Sequence, residues 1–344
     1  MLFLERELSG KGLNPTRLYL EPDRFNLLCG IGSGHPRVCL NAHSDTVPAS
    51  GKSLPAARIE GDILWGLGAC DDKASIAAMV AAFSHLASLP TDQPIGSVDL
   101  LISVDEECGG NGVESAIDAG YACDYAIVGE PTRLDIVHAH SGILFLKLTT
   151  TGAAAHGSTP HLGQNAIRRM MELVDEIETE VTRFPPHPAV GAPSLNLGEI
   201  HAGDRPNRVP DTCVAGVDVR IMPPTTVSQV GDRINGILAG KDWASCEIER
   251  QWEPVETPIE SALIKSVSEA AKQLGIPSTL KGWRGGTEAA PFRARLGVDA
   301  IVLGPGDLKQ AHSDAEFVSI SQTQLAAALY AQSVLGLGQL LKLQ

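Results

Sequence analysis

Two adjacent carboxylates, Asp71 and Asp72, follow Gly66-Leu67-Gly68-Ala69-Cys70, where a glycine-punctuated loop opens an alanine-rich helix expected from Ala74 to about Ser88. Like charges crowded at such a junction repel unless a cation holds them. Taken alone, the pair also reads as a helix N-cap at the positive end of the helix dipole. The rest of the chain favours the cation. His43-Ser44-Asp45 lies upstream, and Glu106-Glu107, Glu130 and His312 lie downstream, each where an apolar, strand-like run stops. Carboxylate oxygens and imidazole nitrogens in this mixture are the ligands of a two-metal hydrolytic centre. Asp45, two residues from His43, is placed to orient that ring. Adjacent Glu106 and Glu107 allow a division of labour, one binding metal while the other takes a proton from the attacking water. Singly, these residues also read as structural histidines, a solvated acidic loop and a turn at Gly129-Glu130-Pro131. Their joint occurrence at successive strand ends is what argues for chemistry.

Composition limits what else the chain could do. Its 344 residues can bury a large core in one big domain or two smaller ones. A net charge of −14 opposes nucleic acid and anionic membrane as partners, and 4% aromatics leave little for stacking bases. Seven scattered cysteines, never spaced C-x-x-C, fit reduced thiols better than a disulfide frame or a thiolate zinc site. No apolar run approaches the length of a spanning helix, and Glu5, Arg6 and Glu7 break any signal-peptide core. The expected location is the cytoplasm.

The elements that must position these groups alternate between strands and helices. A helix tail over Leu2 to Ser9 precedes strands at Phe25–Cys29 and Arg37–Ala42, so His43 sits at a strand's carboxyl end, where open α/β sheets place ligands. Ile59 to Leu64 reads as another strand, with Gly61-Asp62 as its turn. The strand Val98–Val104 runs into Asp105-Glu106-Glu107, and Tyr125–Val128 into Gly129-Glu130. Four strand ends delivering four polar clusters to one rim imply an α/β fold, a mainly parallel sheet flanked by helices. From about Gly142 the rhythm becomes β-α-β-β-α-β, which predicts an inserted ferredoxin-like α+β domain over residues 142–255. Residues 1–141 and 256–344 then form the domain that carries the metals.

The chain resembles the zinc-dependent amidohydrolases and exopeptidases that include acetylornithine deacetylase, succinyl-diaminopimelate desuccinylase, aminoacylase and carboxypeptidase G. The resemblance runs from about residue 25 to the C-terminus. It rests on Asn41-Ala42-His43-Ser44-Asp45, Gly66-Leu67-Gly68-Ala69-Cys70-Asp71, Asp105-Glu106-Glu107, Val128-Gly129-Glu130-Pro131, Asp218-Val219-Arg220, Thr287-Glu288 and Leu303-Gly304-Pro305-Gly306 through His312. The last is most similar to the acetylornithine and acetylcitrulline deacetylase branch. The resemblance implies that Asp71 bridges two zinc ions, with His43 and Glu130 on one and Glu107 and His312 on the other. It implies Glu106 as general base, Asp45 as the partner of His43, and His156 as a lid histidine that polarises the scissile carbonyl. Arg220 and Asn207 match positions that meet the substrate's carboxylate end, although Arg220 also reads as a plain surface charge. His138, His140, His161 and His201 have no counterpart and read as structural. A cis peptide after Asp71 and a homodimer formed through the inserted domain are further implications. Asp72 stands where the family usually carries methionine, and Ala74-Ser75 where glycines are common. The chain also begins inside what corresponds to the family's second helix.

The expected function is therefore deacylation of a small N-acyl amino acid by a di-metal amidohydrolase, with zinc the expected metal and cobalt or manganese compatible with the same donors. N-acetyl-ornithine, as in arginine biosynthesis, is the leading substrate, with N-acetylcitrulline and other N-acyl amino acids behind it. A dipeptidase using the same metals is the alternative, and a non-catalytic metal-binding protein a further one that a free base such as Glu106 argues against.

Overall fold

The computed structural model describes residues 1–49, 56–90 and 96–342. They group into two compact units: Met1–His138 with Thr257–Lys281 and Thr287–Gln344, and Ala139–Glu256 with Gly282–Gly286. The sequence reading assigns 139–141, 256 and 282–286 to the first domain, whereas in the structure these residues cluster with the second.

In the first unit, Ser97–Ser103, Arg37–His43, Tyr125–Val128 and Asp299–Val302 run parallel at the centre of a sheet. These strands are nearly continuous apolar runs because both of their faces are covered. Ile76, Met79 and Phe83 of the helix Lys73–Ser88 and Leu329, Tyr330 and Val334 of the helix Ile320–Lys342 join Val38, Leu40 and Leu100 in one core. Parallel strands all end at the same edge, so His43, the segment after Ser103 and the segment after Val128 emerge together.

The sheet is parallel only at its centre. Arg24–Gly32 pairs antiparallel with Ser97–Ser103, Thr16–Glu21 antiparallel with Arg24–Gly32, and Ile136–His140 antiparallel with Asp299–Val302. The expected strand over Ile59 to Leu64 is instead a tight hairpin. Arg58–Glu60 and Ile63–Trp65 fold back on each other at Gly61, where φ is 61°, and the second pairs with Phe317–Ser319 in a separate sheet. The Asp71 loop is thus delivered by this small sheet and not by a fourth strand of the central one.

The second unit has strands Gly142–Thr151, Ser194–Ala202, Thr212–Ile221 and Ala244–Trp252, with helices Ala166–Val181 and Val227–Leu238. All pairings are antiparallel, and the spatial order is fourth, first, third, second, the ferredoxin-like arrangement. Alternation along Gly142–Thr151 turns Leu144, Leu146 and Leu148 toward Met170, Leu173 and Ile177 of the first helix. Both helices start on a capping side chain. Asn165 accepts from the amides of Ile167 and Arg168, and Thr226 forms a reciprocal capping box with Gln229. All seven cysteines are unpaired. Among the described residues, no helix is long and apolar enough to cross a membrane.

Candidate metal centre

His43, the last residue of its strand, is almost fully buried and its Nε2 lies 3.0 Å from Asp71 Oδ1. Asp71 Oδ2 lies 3.4 Å from His312 Nε2, which is itself 3.1 Å from Glu107 Oε1. One donor atom each from His43, Asp71 and Glu130 falls within 4.8 Å of the others, and so does one each from Asp71, Glu107 and His312. Asp71 is common to both triads. A third grouping joins His43 to Glu106 and Glu107. The five residues singled out as ligands by resemblance are therefore brought together, with Glu106 beside them.

Two nearby residues hold this arrangement. Asp45 lies 3.5 Å from His43 Nδ1 and accepts the amide protons of Glu107 at 3.0 Å and Glu106 at 3.3 Å. Asp105, whose φ is 72°, turns the chain toward the paired glutamates and is anchored by Arg24 and by Asn111. The Asp71–Asp72 peptide is cis, as the resemblance implies. Asp72 occupies the N-cap position of the helix Lys73–Ser88, but its side chain makes no capping hydrogen bond. The simple capping reading of the aspartate pair therefore fails. Gly129, next to Glu130, passes so close to this helix that a Cβ there would sit 2.5 Å from Ser75 Cβ.

The electrostatics show what the cluster lacks. Burial pushes Glu130 and Asp72 well above the usual carboxylate range, and the Asp71 charge adds to the effect on both. Burial and then the Asp71 charge likewise raise Glu107. Burial opposes charge on Asp71 too, but His312 and His43 outweigh it and hold this carboxyl low. Asp71 in turn raises His312 to about 9. Burial disfavours a charged His43, yet Asp45 and Asp71 hold its pKa well above the usual imidazole range. Two histidines thus share the charge of a larger set of buried acids. Divalent cations fit this donor set by the hardness of its oxygens, by its imidazoles and by the charge it has to neutralise.

The other residues singled out belong to the second unit. Exposed His156 and Asn207 lie on facing loops, joined by a hydrogen bond from the Gly157 amide to the Asn207 carbonyl at 2.7 Å and by a bridge between His156 and Arg208. Arg220, on Thr212–Ile221, pairs with Asp218 at 2.8 Å. Sequence reasoning missed Glu316, which is buried and accepts the amide protons of Gly68, Cys70 and Asp71 at 2.6, 2.8 and 2.9 Å. Its signal was an acid four residues after His312, at the start of an apolar run. Glu288 was noted only as part of a motif. It is buried, its carboxyl accepts from Ser103, and burial raises it to about 7.

Residues 39–336 match the model of peptidase family M20/M25/M40. The chain belongs to that family. This M20/M25/M40 chain is accordingly a hydrolase, as its acids and histidines suggest. It is 31% identical over 328 residues to an acetylornithine deacetylase of Proteus mirabilis, covering 90% of this chain and 82% of the relative. It is equally 31% identical over 316 residues to a Pyrobaculum aerophilum protein named as a candidate LysW-lysine/LysW-ornithine hydrolase, covering 91% and 85%. An M20 family metallo-carboxypeptidase of Sulfolobus solfataricus shares the fold with a TM-score of 0.83 at 18% identity, over 98% of this chain and 93% of that one. A dinuclear metal-binding M20 peptidase of Bacillus subtilis superposes with a TM-score of 0.69 at 15% identity, over 97% and 90%.

Proposed function

We propose that the protein is a di-metal amidohydrolase that removes an acyl group, best acetyl, from a small N-acyl amino acid. The observation that carries this reading is the pair of donor triads sharing Asp71, with Glu106 adjoining. His43, Asp71 and Glu130 would hold one cation, and Asp71, Glu107 and His312 the other. The cations, zinc or a similar divalent metal, would supply Lewis-acid polarisation of the amide carbonyl and stabilise charge developing on its oxygen. Glu106 takes a proton from the attacking water and returns it to the leaving amine nitrogen. Asp45 keeps the His43 ring and the Glu106-Glu107 backbone in place. His156, Arg220 and Asn207 are assigned to the substrate on the family resemblance alone. The same resemblance suggests a homodimer formed through the second unit, whose edge strand Ser194–Ala202 leaves Leu197 and Ile200 exposed, and the scattered thiols favour the cytoplasm.

N-acetyl-ornithine is the leading substrate, supported by the Proteus mirabilis relative. The equal identity to the candidate LysW-lysine/LysW-ornithine hydrolase favours a second reading, hydrolysis that frees lysine or ornithine from a LysW conjugate. The test is a panel of metal-loaded reactions on N-acetyl-ornithine, N-acetylcitrulline, other N-acetyl amino acids, LysW-ornithine and dipeptides. Acetate release from N-acetyl-ornithine is expected. Cleavage of dipeptides alone would replace deacylation by exopeptidase activity.

A further inference from the structure

Glu316 is a buried carboxylate whose charge Lys73 offsets only from a distance, a costly arrangement unless its oxygens are otherwise satisfied. They are satisfied by backbone. Oε2 accepts from Gly68, and Oε1 from both Cys70 and Asp71. These amides belong to the turn that ends in the shared ligand, at a place where Gly68 has a φ of +72°. The backbone of Glu316 adds two further ties. Its carbonyl accepts from the Gly66 amide at 3.0 Å, and its own amide donates to Ser313 at 3.1 Å, next to His312. Immediately beyond it, Phe317–Ser319 pairs with Ile63–Trp65, the strand that leads into the Asp71 loop. One residue therefore grips the loop that carries Asp71 while closing the loop that carries His312.

We infer that Glu316 is a positioning residue: it aims the Asp71 carboxylate at both cations and sets His312 in register with it. This rests on the di-metal reading above, yet Glu316 belongs to neither donor triad. Its action is through the backbone. With the peptide planes before Asp71 held, the two Asp71 oxygens are divided between His43 and His312, the arrangement that lets one carboxylate serve two triads. Partners that orient metal ligands typically contribute about 10–100-fold to metal affinity or activity.

The experiment compares wild type with Glu316→Gln and Glu316→Asp. The amide replaces an acceptor oxygen by a donor at similar size, whereas the shorter carboxylate keeps its charge and loses reach. Hydrogen exchange is followed in residues 66–73 of the metal-free proteins, and Zn²⁺ uptake by calorimetric titration. Expected are faster exchange at Gly68, Cys70 and Asp71 in Glu316→Gln, about 10–100-fold weaker Zn²⁺ binding, and a fall in kcat with KM nearly unchanged. Partial recovery of all three is expected in Glu316→Asp. Unchanged exchange and unchanged Zn²⁺ affinity in a folded Glu316→Gln protein overturn the proposal. So does failure of both variants to fold, which would make Glu316 a residue of the fold alone. Wild-type protein that takes up no Zn²⁺ sinks the metal reading, and the exchange data then still decide whether Glu316 holds the loop.

Discussion

Among the described residues, the first unit buries nine carboxylates: Asp71, Asp72, Asp99, Asp105, Glu106, Glu130, Asp135, Glu288 and Glu316. The second unit buries none; its buried polar residues are His140, Ser141, Thr150, His187 and Thr225. Of the nine, Asp99 pairs with Arg37, Asp105 with Arg24 and Asp135 with Lys281. The other six lie in or directly around the candidate centre. Burying a carboxylate is expensive, so such a concentration marks a place where stability is given up for chemistry. The second unit shows what the same chain does without that demand: an interior of Leu, Ile, Val and Met, with acids left at the surface.

The largest expected effect tests the acid-rich side of the contrast. Glu106→Gln should lower turnover by about 10²–10⁴-fold or more while Zn²⁺ uptake stays normal, because the proposed general base is lost and no proposed ligand is. A fully metallated variant that remains active would remove Glu106 from the chemistry. The reverse case is Leu173→Ala in the apolar interior of the second unit. It should cost about 2–5 kcal/mol of stability through lost burial and a residual cavity, without altering Zn²⁺ stoichiometry. Thermal melts and titrations of the same preparation check this, and a change in stoichiometry would blur the contrast between the units.

The third prediction concerns a buried histidine of the second unit. Burial lowers the pKa of His140 to about 4, against a hydrogen bond to the Ser141 carbonyl that favours charge. In the unfolded chain this ring takes up its proton near the ordinary value of about 6.5. Between these two values the unfolded state binds more protons, so stability falls as pH is lowered from about 6.5 to about 4. The shift is worth roughly 3 kcal/mol at its lower limit. Denaturant melts of wild type and His140→Gln across that range should differ in slope, the variant being flatter. Parallel curves would show that His140 is not held neutral.

The second unit was also the more legible in sequence. Its strands alternate and its helices carry one apolar stripe each, and the structure adds Asn165 and Thr226 as caps that the sequence offered too. Periodicity and capping are local signals, so the whole β-α-β-β-α-β order could be read. In the first unit the parallel centre was visible as apolar runs, but Thr16–Glu21, Ile136–His140 and Leu280–Trp283 were not. They are short strands whose identity depends on a neighbour far away in the chain. Ile136–His140 also carries two histidines, which mask its apolar pattern. The candidate ligands were legible because metals demand particular side chains. Glu316 was not, because what it recognises is backbone 245–248 residues away, and amide groups leave no mark on a sequence.

Asp45 joins the His43 ring to the amides of Glu106 and Glu107, and so ties the end of one central strand to the segment leaving the next. What such a clasp preserves is a difference and not a position. If thermal motion slides Arg37–His43 relative to the rest of the sheet, the ligand and the neighbouring base travel with it in common mode, and their separation is kept. Motion of the scaffold is thereby kept out of the spacing between His43 and Glu106. Replacing Asp45 would therefore leave the average structure much as it is and broaden the spread of His43–Glu106 distances about it.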